Sequence, residues 1–430
     1  MSRTLLMFRS VAFAFVTKLS GAATVFIGLP IIAHSLPVGD YAIFLATMNI
    51  AAAAGLVFAP FGLLYIRELS HAFASEDRTE AERAVKATFG CHAALTAGVL
   101  ALLTIGFLAM GSTNYFKASV LLGISLNTLA MAASWGQVYR IAERSDYVTS
   151  IIQTMSNIIM VASLATLSIT NNLTDMSVSA VYFGVPAMGE LLVFSQLLLK
   201  RRLRPRLDRS ALAAFKTRVP RTIPLFLAPI SNYVIVYGIS IIVLSVSDTY
   251  NYIVISTSIL LIARIVNPVS LITRPMMPAF IDARQRNDIK WLVMLKRIFL
   301  AAAAIGAVMA AILPFIVSEK IIYFAFPKEV HGLSLVYLMF CSYFAFSYAL
   351  VTLLEPLFIG AHRASFYGLS NLAFTLAAAA AGTLFGGKFG AAAMMGALAI
   401  STTLNGLFLL AKTSWTKDSY ALKHDGGRLA

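Results

Sequence analysis

Charge is scarce in this chain: only 12% of its 430 residues are Asp, Glu, Lys or Arg. An ordinary soluble domain carries about a quarter charged residues, so the deficit excludes a simple water-exposed globule. Cysteine is scarcer still. Cys91 and Cys341 both fall in or beside apolar runs, which excludes a disulfide framework and offers no thiolate set for a metal. The six histidines (His34, His71, His92, His331, His362, His424) lie far apart and show no paired ligand spacing. No Gly-x-Ser-x-Gly elbow occurs. The nearest approach to a phosphate-binding loop, Gly382 to Lys388, is followed by Phe389 where Ser or Thr is required, and no strand precedes it. The expectation is therefore no cofactor, no metal site and no enzyme activity. Long polar stretches are missing as well: the longest connection runs from Lys200 to Arg221, too short for a separate soluble domain.

What is present is hydrocarbon. Apolar residues make up 59% of the chain and its mean hydropathy is +0.80. They gather in runs of about 18–25 residues, the length a helix needs to cross a bilayer core. The runs predict helices at 10–33, 41–65, 88–110, 118–139, 147–169 and 177–198, then 223–245, 252–274, 294–317, 333–358, 366–386 and 389–411. Inside a bilayer every backbone group must be paired within the segment, so helix is the reading such runs allow. The expected fold class is an all-α integral membrane protein of about twelve transmembrane helices, arranged as two six-helix lobes around a central cavity. The expected divisions are an N-terminal lobe (1–199), a basic cytoplasmic linker (200–221), a C-terminal lobe (222–413) and a cytoplasmic tail (414–430).

Lys and Arg number 34 against 19 Asp and Glu, a formal net charge of +15. In a soluble protein that excess would raise nucleic acid as a partner. Here it sorts by loop. The start (Arg3, Arg9) and the connections after even-numbered runs hold nearly all of it: Arg67, Arg78, Arg83 and Lys86; Arg140 and Arg144; Arg274, Arg284, Arg286, Lys290, Lys296 and Arg297. The opposite connections carry Asp40, Asp175 and Asp248 with few cations. By the positive-inside rule both termini are expected in the cytoplasm, and nucleic acid is not an expected partner. The first run is too long for a signal-peptide core, contains Lys18 and is soon followed by a second run. It is expected to be an uncleaved span.

Six runs precede the basic segment Lys200-Arg201-Arg202-Leu203-Arg204-Pro205-Arg206 and six follow it. Such a midpoint suits transporters that rock two bundles about a central site. The arginines themselves serve equally as topology signals and contacts for anionic lipid. Residues Ser210 to Val219 have the pattern of a short amphipathic surface helix.

Ionisable residues within spans are expensive and mark functional positions. Four stand out: Lys18, Glu190, Arg264 and Glu355. Lys18 lies about 13 Å and Arg264 about 15 Å from the cytoplasmic end of its helix, one in each half of the chain, at 1.5 Å per residue. Thr257, Arg264 and Asn267 share a helix face, which predicts a cavity lining; Asn232, Tyr233 and Tyr237 are further candidates for it. Snorkelling to the headgroups is the alternative for Lys18. Glu190 and Glu355 are either partners of basic residues or sites for a coupling H+ or Na+. Pro224 and Pro229 at the start of the seventh run, with Pro268 and Pro275 at the end of the eighth, predict kinks.

The stretch Lys18-Leu-Ser-Gly through Ile31-Ile-Ala-His34-Ser-Leu-Pro-Val-Gly-Asp-Tyr41-Ala-Ile-Phe44, on to Phe61-Gly62 and Ile66-Arg67-Glu68, resembles the opening helices of bacterial polysaccharide exporters. These form the lipid-linked oligosaccharide flippase branch of the multidrug/oligosaccharidyl-lipid/polysaccharide exporter superfamily. Lys18, Tyr41, Gly62 and Arg67 match the family pattern, whereas His34, Pro37 and Ala42 depart from it. The resemblance implies an inner-membrane exporter that moves an undecaprenyl-pyrophosphate-linked oligosaccharide to the periplasmic leaflet by alternating access. It would serve O-antigen, capsule or exopolysaccharide synthesis, amid membrane lipids and other polysaccharide assembly proteins. A pyrophosphate is a dense anion, so Arg264 and Lys18 are its expected ligands, with Arg67 at the cytoplasmic mouth. Two rivals stay open: a cation-coupled multidrug-type exporter, which calls for carboxylates in the cavity, and a membrane-embedded polymerase or acyltransferase, which calls for a large outward loop.

Overall fold

A computed structural model of the chain describes residues 15–74, 78–110, 118–143, 145–201, 209–246, 248–266, 333–360 and 364–412, with Phe13, Val293, Met294, Arg297, Ala301, Phe324, Phe326, Pro327 and Val330. Every element among them is helical. Among the described residues ten helices are long and apolar enough to cross a membrane, and each overlaps one of the twelve expected runs. The seventh run is present as a helix with a shorter apolar part, Pro229–Leu244. The expected run at 294–317 lies almost wholly outside the described residues. The protein is an all-α, multi-pass membrane protein. Large apolar side chains such as Leu102, Ile105, Ile169 and Leu199 stand exposed on the helix surfaces, where lipid rather than water would surround them.

The elements are α1 (Phe15–Ser35), α2 (Val38–Ala74), α3 (Arg78–Met110), α4 (Ala118–Ala142), α5 (Asp146–Ile169) and α6 (Asp175–Arg201). After them come α7 (209–246), α8 (Thr249–Val266), α9 (Leu335–Gly360), α10 (Ser365–Phe385) and α11 (Gly390–Lys412). The helix α4 is interrupted by a turn at Ser134. Several helices overrun the expected bounds, because α2 and α3 continue as polar helix beyond the apolar run. The segment from Ser210 to Val219, expected to be a separate surface helix, is instead the first part of α7. Pro220, Pro224 and Pro229 accordingly lie inside that helix rather than at its start.

Two helices contain a π-turn: Thr24–Gly28 in α1 and Val234–Gly238 in α7. Pro30 accounts for the first. It has no N–H to give the carbonyl four residues back and its ring crowds that carbonyl, so a wider turn relieves the clash. The link between α10 and α11 has a different cause: Gly390 takes φ 62° and ψ −152°, a conformation open essentially to glycine alone.

The chain forms two compact units, one of Met1–Arg264 with Lys320–His331, the other of Ile265–Glu319 with Gly332–Ala430. In the first, α1 lies on α5 through a polar seam: Thr17 Oγ1 donates to the Ser150 carbonyl (3.0 Å), Asn157 Nδ2 donates to Ser20 Oγ (3.0 Å), and Ser35 meets Ser168 (2.9 Å). Helix α7 runs along α2 and α3. Arg218 pairs with Glu68 at 2.7 Å, and Phe61 stacks on Phe215 and meets Phe226 edge-on. Helices α4 and α6 come close at Gly136, where an added Cβ would stand 3.0 Å from the Phe194 Cα. In the second unit, α9 packs on α10 and α11. Tyr367 donates to the Val351 carbonyl, and Asn405 bonds both Ser370 and Asn371.

The backbone contact at Gly136 yields a clear expectation. Gly136→Ala forces α4 from α6 and lowers stability by about 1–3 kcal/mol, as overpacking does. At Gly98 a Cβ meets nothing within 4 Å, so Gly98→Ala raises stability by up to about 1 kcal/mol through helix propensity. Thermal unfolding in detergent should move in opposite directions for the two variants.

Candidate functional site

The inner faces of α2, α7 and α8 carry a ladder of polar side chains in a region otherwise built of Ile, Val and Leu. Asn49, fully buried on α2, donates through Nδ2 to Tyr252 Oη (3.2 Å) and Ser256 Oγ (3.3 Å) on α8. Tyr233 on α7 donates to the backbone carbonyl of the same Asn49 (3.0 Å). Two turns nearer the start of α2, Tyr41 Oη meets Thr257 Oγ1 at 3.2 Å. The spacing explains the pattern: positions 252, 256 and 257 fall on one side of a helix, as do 41 and 49 two turns apart. One residue, Asn49, thus ties three helices together.

Beside this ladder lies an aromatic group. Phe44 meets Tyr182 of α6 edge-on at 5.1 Å, and Tyr233 packs on Tyr237 at 5.6 Å. The half-buried Arg264 of α8 lies within electrostatic reach of Tyr182, as does Tyr237. The arrangement brings a guanidinium into the neighbourhood of two phenols. Chemically, it offers paired N–H donors for an anionic oxygen and flat rings for an apolar or sugar surface.

The expected site residues can be placed one by one. Arg264 and Tyr237 share the Tyr182 neighbourhood, and Tyr233 and Thr257 bond across to α2. Thr257 is wholly buried in that bond. Asn232 is half-buried on α7. Lys18 is half-buried on α1, the helix bonded to α5 through Thr17 and Ser20, while α8 bonds to α2. Glu190 is buried on α6 and accepts a hydrogen bond from Gln153 Nε2 at 2.8 Å. Glu355 is half-buried on α9, in electrostatic contact with Tyr367 of the second unit. Asn267 and the side chain of Arg67 lie outside the described residues.

Sequence reasoning missed Asn49, Tyr182 and Gln153, single polar residues in apolar runs whose value depends on which helix faces them. It also read Arg140 as a loop cation. Arg140 is in fact inside α4 and only 8% exposed, its Nη2 donating to Gln196 Oε1 at 3.3 Å. The helix continues past the apolar run, so the charge that marks topology is folded inward.

No family model and no curated protein sequence matches the chain. Solved structures match it along nearly its whole length. An inward-facing multidrug resistance MATE family transporter of the MOP superfamily superposes with a TM-score of 0.67 at 13% identity, over 95% of this chain and 99% of that one. The outward-facing conformation of such a transporter gives 0.66 at 13% identity, over 98% and 99%. A mutant of the Vibrio cholerae MATE transporter VcmN gives 0.55 at 12% identity, over 98% and 97%. The fold is that of MATE transporters. The superfamily expected from the opening residues agrees with this at the level of fold. At such identities the MATE likeness is one of backbone path, and side-chain roles must be argued from this chain's own residues.

On this MATE fold the Asn49 ladder should be measurable by a double-mutant cycle. Asn49→Ala and Tyr252→Phe are each expected to destabilise the protein. Their effects should fall short of additivity by about 0.6–1.7 kcal/mol, the range for interhelical hydrogen bonds in membranes. Unfolding in mixed micelles of the two single variants and the double variant provides the check.

Proposed function

We propose that the chain is an exporter of multidrug type, exposing one solute site alternately to the two faces of the membrane and coupled to an ion gradient. The observation that carries this reading is the whole-length similarity to a fold solved both inward-facing and outward-facing. In this reading the two six-helix halves, divided at 200–221, move about the site, and the chain sits in the bacterial inner membrane with both termini cytoplasmic. The span carboxylates Glu190 and Glu355 supply the candidates for coupling to H+ or Na+.

The charges around the site support an anionic solute. Lys18 and Arg264 are half-buried cations within spans, and α1 has no acidic residue to match them. A cation brought to Arg264 would meet like charge in a low dielectric, while an anion would gain charge-assisted hydrogen bonds. This is also what favours a second reading, in which the anion is the pyrophosphate of an undecaprenyl-linked oligosaccharide. Arg264 and Lys18 then bind the phosphates, Arg67 serves loading, and Asn232, Tyr233 and Tyr237 contact sugar.

Proteoliposomes test both readings with three probes: fluorescein as an anion, ethidium as a cation, and a fluorescent undecaprenyl-pyrophosphate oligosaccharide. Protein-dependent movement of an anionic probe is expected, lost in Arg264→Ala and partly kept in Arg264→Lys. Movement of the lipid-linked probe alone would select the flippase reading. Ethidium transport indifferent to Arg264→Ala would reject the anionic site, and no movement of any probe by folded protein would reject export.

A further inference from the structure

Glu190 is in an unusual position for an acid. It lies fifteen residues from Asp175 at one end of α6 and eleven from Arg201 at the other, so it stands about 22 Å and 16 Å from the two ends of the helix. Its side chain is 8% exposed. One oxygen, Oε1, accepts from Gln153 Nε2 on α5; the other, Oε2, is shielded from solvent and has no hydrogen-bond partner among the described residues. Thr149 Oγ1, one turn earlier on the same face of α5, is likewise buried without a partner. Gly189 lets α5 come close beside it, since any side chain there would run into Ser156.

Among the described residues, Glu190 makes no ion pair, and its one hydrogen bond is the one from Gln153. Among the described elements packed on α6, the first part of α4 (Ala118–Ala133) has no ionisable residue. Its second part carries Tyr139 and Arg140, and Arg140 is bonded to Gln196, six positions further along α6. The ionisable residues of α5, Asp146 and Tyr147, lie in its first turn. Those of α2 lie near its two ends: Asp40 and Tyr41, then Tyr65, Arg67, Glu68 and His71. Helix α3, which touches α6 through Phe89 and Phe194, carries Arg78, Glu80, Glu82, Arg83 and Lys86 at its cytoplasmic end, then Cys91 and His92. His92 is bonded to the Ala132 carbonyl. On α6 itself the others are Asp175, Tyr182, Lys200 and Arg201. Lys18 belongs to α1, which bonds to the α1-facing side of α5 through Ser150, Thr154 and Asn157.

Desolvating a carboxylate costs several kcal/mol, recovered only with good partners, and one neutral amide is a meagre partner. Sodium would need several oxygen ligands, whereas Gln153 presents an N–H2 group to Glu190, and no group of three His, Cys, Asp or Glu residues that could hold a metal ion occurs among the described residues. A proton needs only the free oxygen. We propose that Glu190, held by Gln153 at the α5–α6 contact, is a proton-binding site, and that its Oε2 is loaded and unloaded as the transporter changes state. The coupling half of this proposal rests on the export reading above; the proton site itself does not.

Infrared difference spectra of the purified protein across a pH step test the site without any solute. The carbonyl stretch of a protonated carboxyl is expected to change in wild type, to vanish in Glu190→Gln, which keeps the side-chain shape, and to shift in frequency in Gln153→Leu. Spectra identical in wild type and Glu190→Gln would overturn the proposal. In proteoliposomes with fluorescein, movement driven by an imposed pH gradient should be abolished in Glu190→Gln and its pH profile flattened. A variant that still follows the gradient would overturn the coupling role. If wild type moves no probe, the export reading fails, and the infrared result alone decides the proton site.

Discussion

A bilayer core offers no water, so each polar atom inside it must find its partner in the protein. The architecture depends on that constraint more than on apolar contact, because lipid tails are as apolar as Leu and give helices little reason to prefer one another. The polar seams therefore set which helices meet and in what register. Thr17, Ser20 and Ser35 key α1 to α5, and Asn49 gathers α7 and α8 onto α2. Asn371 and Asn405 do the same between α10 and α11 in the second unit. Each such bond is worth only about 0.6 kcal/mol on average, yet the alternative is an unpaired group in hydrocarbon. Small residues complete the arrangement: an added Cβ at Gly123 would stand 2.7 Å from Thr47 Cγ2, and one at Gly136 would press on the α6 backbone.

The two π-turns sit in the first expected helix of each half of the sequence, and each ends in a glycine, Gly28 or Gly238. A π-turn inserts one extra residue and loosens the regular i to i−4 bonding, so the helix gains a place where its axis turns cheaply. In α1 the turn lies against α5, where Gly28 is 3.6 Å in Cβ terms from Leu164. In α7 it follows Tyr233, the residue bonded to Asn49. A bend in either helix is therefore felt directly by the polar seam beside it.

Much of the fold was legible because a membrane span is a crude signal: a run of about twenty apolar residues needs no knowledge of its neighbours. That is why ten of the twelve expected runs coincide with long apolar helices. Their ends were poorly legible, since α3 starts at Arg78 and α7 at Arg209, in polar sequence that remains helical by packing rather than by hydropathy. Arg140 shows the same limit, a loop cation by composition and a buried one by structure. The π-turn in α7 follows Pro229 by five residues and has no proline just after it, as Pro30 follows the one in α1. Charges inside spans are conspicuous, so Lys18, Glu190 and Arg264 stand out from sequence as candidates. Asn49, Gln153 and Tyr182 do not, for an amide or phenol acquires meaning only from the group opposite.

The two charged positions of the proposed reading, Arg264 and Glu190, differ in burial: one is half-buried, the other buried. Arg264 is half-buried within electrostatic reach of Tyr182, and in the proposed reading an incoming anion meets it there. Glu190 is buried between α5 and α6 with one oxygen held by Gln153 and the other shielded from solvent without a partner among the described residues. In the proposed reading, a solute site and a proton site need this asymmetry. A site for a solute must be open enough to be loaded from one face at a time. A site for a proton must be closed enough that its charge is felt by the packing, because an exposed carboxyl would change state without moving anything. If α5 and α6 pack differently around a charged and a neutral Glu190, α1 feels it through the same face of α5 that holds Thr17 and Ser20. Lys18, between those two residues, would be carried along with them.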